Sequence, residues 1–174
     1  MAFKLDISTL NLQDALDMAV LIEKEAEERY LLFADQLGQR YRGDAADFFT
    51  MMARNEQRHG AEIAERRRLL FGDAPSRVTE NMIEYEVEAP DFGKPRRYMS
   101  PRNALEVAME SEIKAYEFYD KALQGIQDPT VRKLIKELRD EEAGHQRLLN
   151  EQKAKYPDTM EPDLDPDDAD ISSL

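Results

Sequence analysis

Four long stretches of this chain repeat apolar side chains at the three-to-four-residue spacing of a helix, each bounded by residues that start or stop one. In the first, from about Asn11 to Leu37, the apolar positions are Leu12, Ala15, Leu16, Ala19, Ile22, Ala26, Tyr30, Phe33 and Leu37. Gly38 then supplies a stop. The second runs from about Asp44 to Phe71, with Phe48, Phe49, Met52, Ile63 and Leu70 on one face and Gly72 at its end. Ser100-Pro101 and Asp128-Pro129 each pair an N-cap with a first-turn proline. They open a third helix ending at Gly125 and a fourth ending before Pro157. With only seven glycines and eight prolines in 174 residues, elements are long and loops few, which favours an all-helical class. The length suits one domain with a sizeable core.

Between the second and third helices lie 29 residues, Gly72 to Ser100, too long for an ordinary connection. A 28-residue helix is roughly 42 Å long. About 13 extended residues are enough to return along it. The connection therefore has the length to run the whole bundle and start the third helix beside the start of the second. The expected architecture is a four-helix bundle of two antiparallel hairpins joined by one long crossover, spanning residues 1–156.

Composition excludes several functions. No cysteine is present, so disulfides, thiolate metal sites, iron–sulfur clusters and a thiol nucleophile are ruled out. A net charge of −13 argues against nucleic acid and against anionic membrane surfaces. Apolar runs are too short to span a bilayer, and the N-terminus lacks the pattern of a secretory signal, which favours the cytoplasm. Residues 157–174 are rich in acids and prolines and are expected to be a disordered or partner-binding tail.

The chain has two histidines, and each stands three residues after a glutamate: Glu56 and His59, Glu142 and His145. That spacing projects both side chains from one helix face. Glu56 and His59 continue the stripe of Phe48, Met52 and Ile63, while Glu142 and His145 continue that of Ile135, Leu138 and Leu149. Glu23 falls within the first stripe and Glu112 within the third, among Leu105, Ala108, Ala115 and Tyr119. Counted from a turn centre near Tyr41, Glu23 lies 18 residues before it, and Glu56 and His59 lie 15 and 18 after. From Gln127, Glu112 lies 15 before, and Glu142 and His145 lie 15 and 18 after. Four glutamates and two histidines should therefore meet at mid-bundle.

Buried without counter-charge, those carboxylates are untenable. Two divalent cations balance four carboxylates and two neutral imidazoles. Oxygen-rich ligation with one nitrogen per metal suits iron or manganese better than structural zinc. The same ligand set is known from ferritin-like di-iron carboxylate bundles. Against this stands the reading that all six are solvated, which requires each stripe to be rotated away from the positions counted. Tyr30 and Tyr119, each seven residues after Glu23 or Glu112, either hydrogen-bond the site or pack in the core. Glu25, Glu27 and Glu28 read as a solvated face, and Met51 and Met52 as core filler.

The halves also resemble one another. Ile22–Tyr30 matches Ser111–Tyr119 at an offset of 89, and Phe48–His59 matches Leu134–His145 at an offset of 86, as an internal pseudo-two-fold would give.

In "IEKEAEERYLLFA", "NEQRHGAEI", "ESEIKAYEFY" and "DEEAGHQRLL" the chain resembles the rubrerythrin-like branch of the ferritin-like superfamily, over roughly Leu12 to Gln152. The resemblance implies a ferritin-like four-helix bundle, dimeric or larger, holding two iron ions, with manganese or zinc as alternatives. It implies that Glu23 and Glu112 each chelate one metal, that Glu56 and Glu142 bridge the pair, and that His59 and His145 each cap one ion. The implied chemistry is oxidation of Fe(II) by dioxygen or hydrogen peroxide, or peroxide reduction.

Two departures stand out. A chain without cysteine cannot build the rubredoxin-type iron domain, so a peroxidase would need an external electron donor. The further carboxylate that rubrerythrins carry a turn after the third-helix ligand is Ala115 here, so a symmetric four-glutamate, two-histidine site is expected. The leading function is a di-iron oxidoreductase of iron homeostasis or oxidative-stress defence. Its alternatives are non-catalytic iron binding or storage, manganese or organic-substrate oxidation on the same site, and a purely structural bundle.

Overall fold

A computed structural model describes residues 5–83, 86–96 and 98–156. Among these residues there are four α-helices and no strand: α1 (Leu12–Leu37), α2 (Ala45–Phe71), α3 (Pro101–Gly125) and α4 (Pro129–Lys153). Each begins on a side chain that caps it. Asn11, Asp44 and Ser100 accept from the backbone N–H three residues on, and Asp128 accepts from Thr130 and Val131. Gly38 and Gly72, where α1 and α2 stop, take positive φ angles of 63° and 56° that other residues adopt only with strain. Among the described residues no helix is long and apolar enough to cross a membrane.

Helix α1 packs on α2 and α3 on α4, and the hairpins meet through α2 against α3 and α1 against α4. The crossover runs the length of the bundle, as its length predicts. Its path can be followed up α1: Arg77 bonds Asp14, Lys24 bonds Glu80, Arg29 bonds Glu86 and Pro90, and the Arg40 guanidinium lies 5.6 Å from the Tyr98 ring centre. On its other side Lys114 of α3 holds the carbonyl of Ala89 and the carboxylate of Asp91. This is the ferritin-like arrangement of two hairpins and one long crossover. A short 3₁₀ turn, Glu80–Met82, interrupts the crossover about a third of the way along it.

The core is divided in two. One apolar cluster gathers Leu16, Met18, Ile22, Tyr119, Leu134 and Ile135, and the other Tyr30, Phe33, Phe49, Met52, Leu105 and Leu149. The helices pass from one cluster to the other at the level of Glu23, Glu56, Glu112 and Glu142. Two stripe assignments need correction: Leu70 is 53% and Met51 45% exposed. Leu70 sits in the last turn of α2, where little of the bundle remains to cover it. Residues 157–174, expected as an acidic tail, lie outside the described residues.

Candidate metal centre

The polar waist between the two clusters is the site the histidine spacing pointed to. Glu23, Glu56, Glu112 and Glu142 are only 1–3% exposed, which removes the reading that they are solvated. Glu23 and the Glu56/His59 pair face each other across the first hairpin, with ligand atoms all within 4.8 Å of one another. Glu112, Glu142 and His145 form the matching triad in the second hairpin. Gly60 permits the close approach of α1 to α2 here, since a Cβ at that position would lie 3.2 Å from the Cβ of Glu23.

The electrostatics are those of a site built for positive charge. Burial first, and then the fields of Glu56 and Glu142, hold the Glu23 carboxyl well above the carboxylate range. Burial also raises Glu112, helped by Glu142 and opposed by His145. His145 Nδ1 lies 3.0 Å from Glu112 and 3.4 Å from Glu142. Burial disfavours its charged form, but the two carboxylates outweigh that and push the imidazole up to about 11. The Oε2 atoms of Glu23, Glu56 and Glu142 are buried with no hydrogen-bond partner among the described residues. Such orphaned acceptors cost several kcal/mol each in a dry interior. Cations are the partners that fit, because the donor set is anionic oxygen with one imidazole per triad.

One further carboxylate reaches the waist, without any mark in the sequence. Glu88, from the crossover, is 2% exposed and forms a third triad with Glu56 and Glu112, again within 4.8 Å. A fifth buried carboxylate thus stands beside the four glutamates expected. The carboxylate missing at Ala115 has a counterpart from a different element. Nothing in "IEYEVEAP" separates Glu88 from its acidic neighbours, because loops have no period that marks an inward face. Glu25, expected on a solvated face, instead accepts from the backbone N–H of Glu86 and helps fix the crossover.

Of the two expectations for Tyr30 and Tyr119, core packing is the one the structure shows. Their rings are core, Tyr30 stacking 5.9 Å from Phe49. Their hydroxyls are buried without hydrogen bonds among the described residues. Burial raises both phenols, and the waist carboxylates add to it: Glu112 and Glu56 on Tyr30, Glu88 and Glu142 on Tyr119.

Where α2 and α4 face each other, the imidazoles of His59 and His145 stack at 4.7 Å with an interplanar angle of 4°. They form the floor of a cavity of about 290 Å³ walled by Ile63, Leu134 and Leu138 and rimmed by Glu62, Arg66, Glu137 and Glu141. The waist is thus open on its histidine side and roofed by the crossover beside α1 and α3.

No curated protein matches this chain. A solved structure of an uncharacterised conserved protein from Magnetospirillum magnetotacticum MS-1 is 32% identical. The match covers 85% of this chain and 97% of that one, with a TM-score of 0.62. A hypothetical protein from Pyrococcus furiosus shares the fold at 21% identity and a TM-score of 0.52, covering 83% of this chain and 89% of that one. The family model for rubrerythrin matches residues 14–153, which takes in both triads and all of the four helices but the first two residues of α1. The chain belongs to the rubrerythrin family.

Proposed function

We propose that Glu23, Glu56, His59, Glu112, Glu142 and His145 bind two iron ions. The loaded protein would react with dioxygen or hydrogen peroxide, in iron homeostasis or oxidative-stress defence. The observation that carries this reading is the pair of matching Glu, Glu, His triads at one level of a buried waist, in which one oxygen each of Glu23, Glu56 and Glu142 lacks a hydrogen-bond partner among the described residues. Iron pairs supply electrons to an oxidant, one from each ion.

The chain's own residues have distinct tasks. Glu23 and Glu112 would each hold one ion, Glu56 and Glu142 would serve both, and His59 and His145 would each supply one imidazole. The apolar clusters above and below exclude water and fix the carboxylates by packing. The cavity over the histidines gives a small oxidant a way in. Turnover with peroxide needs an outside electron donor, because the chain has no cysteine to hold an iron–sulfur or rubredoxin-type centre.

Anaerobic Fe(II) loading followed by stopped-flow mixing with oxygen or peroxide tests the reading. Rapid appearance of ferric absorption at two irons per chain is expected. Binding of two irons with no reaction toward either oxidant would leave a storage or binding protein instead. Replacing Glu56 or Glu142 with alanine is expected to abolish tight binding of the pair. Two-metal binding retained in both variants would contradict the ligand assignment.

A further inference from the structure

The crossover is more than a connection. On either side of Glu88 it is clamped to the bundle by buried or half-buried groups. Arg29 of α1, itself buried, donates to Glu86 and to the carbonyl of Pro90, and its guanidinium lies 3.2 Å from the ring centre of Phe92. Lys114 of α3 donates to the carbonyl of Ala89 and to Asp91. Both cations that clamp the crossover beside Glu88 are therefore committed to other acceptors. At Glu86 the backbone takes a φ of 65°, a left-handed turn that a non-glycine residue adopts at a cost. The chain enters the waist at that turn, with Val87 and Ala89 buried beside Glu88.

What this clamp delivers is a carboxylate with nothing to bind. Neither oxygen of Glu88 has a hydrogen-bond partner among the described residues. A side chain kept only for packing would not carry two orphaned oxygens into a dry core, where an uncompensated carboxylate costs several kcal/mol. The atoms within reach are ligand atoms of Glu56 and Glu112, one from each hairpin.

We propose that Glu88 is a fifth carboxylate ligand of the metal pair, supplied by the crossover, so that metal binding fastens the 86–92 strap onto the bundle. The inference rests on the two-metal reading above and deepens it. It divides the site into a helical part, which sets where the ions sit, and a strap already seated over one side, which the ions would tie down through Glu88. A fifth carboxylate also leaves two divalent ions one charge short of balance, so it favours a pair carrying more positive charge. An oxidised iron pair has that charge.

The test uses Co(II) alone as the probe, titrated calorimetrically into the metal-free protein, with hydrogen exchange followed across residues 86–92. Wild type is expected to bind two Co(II) per chain and to gain at least about tenfold protection of the strap amides. Glu88→Gln, nearly the same size, is expected to bind Co(II) at least about tenfold more weakly, the lower end of what losing even an outer partner of a metal site costs. It should also lose the metal-dependent protection of the strap. Wild type that binds two Co(II) without a change in strap exchange would overturn the proposal, whatever the variant's folding. So would Glu88→Gln that binds two Co(II) with unchanged affinity. Failure of the wild type to bind Co(II) at all would overturn this proposal together with the two-metal reading.

Discussion

Asp44 accepts backbone hydrogen bonds from both sides of the turn between α1 and α2: from Arg40 at 2.6 Å, Tyr41 at 3.3 Å and Asp47 at 3.0 Å. Burial works to raise its pKa, but those N–H donors outweigh it and hold the carboxyl below its usual value. A carboxyl lowered in the folded state stabilises the fold above its unfolded pKa of about 3.9, and that stability is lost as pH falls through the folded value. Asp44→Ala is expected to cost about 1–2 kcal/mol at neutral pH, read as a melting temperature lower by some 2–8 °C. The gap between variant and wild type should close in strong acid. A gap that persists there would mean the loss is packing, not capping. Ser100 and Asp128 are legible as caps from sequence because capping is local, and Asn11 and Asp44 start their helices by the same chemistry. Glu88 is not legible in this way, because its role is set by what lies across the bundle.

The helices were legible as elements because their stripes are long, and the same stripes placed Glu23, Glu56, Glu112 and Glu142 inside. Periodicity says which face is apolar but not how far a partner extends, which is why Leu70 and Met51 were assigned to the core and are exposed. Gly60 tests the closeness of α1 and α2. Alanine in place of an interior helical glycine ordinarily adds about 1 kcal/mol. Here the new methyl would meet Glu23 at 3.2 Å, so one helix must yield by a few tenths of an ångström. Gly60→Ala is expected to forfeit most of that gain in thermal unfolding and to weaken Co(II) binding several-fold by displacing Glu23. The full gain in stability with unchanged affinity would show that the approach is not needed.

At the scale of the whole molecule, the carboxylate waist makes stability and metal content one problem. A bundle whose two apolar clusters are separated by buried acids is held back by those acids until cations arrive. Stripping metal with a chelator is therefore expected to lower the melting temperature, and restoring it at a hundred times the dissociation constant to return about 2.7 kcal/mol per site. A melting temperature indifferent to chelator would mean the acids are accommodated by protons alone. The crossover's path was legible from its length, since 29 residues suffice to return along α2 and the return placed it against α1 and α3. Its contribution to the site was not, because no local rule links a loop glutamate to a pair of helices it meets only in the folded chain.

The central claim is that the waist holds two metal ions. The measurement that bears on it most directly is anaerobic Fe(II) titration of the metal-free protein, with bound iron counted per chain in wild type and in Glu56→Ala. Two irons per wild-type chain, with tight binding of the pair lost in the variant, is the result the structure predicts. One iron or none in the wild type, or two in both proteins, would contradict it.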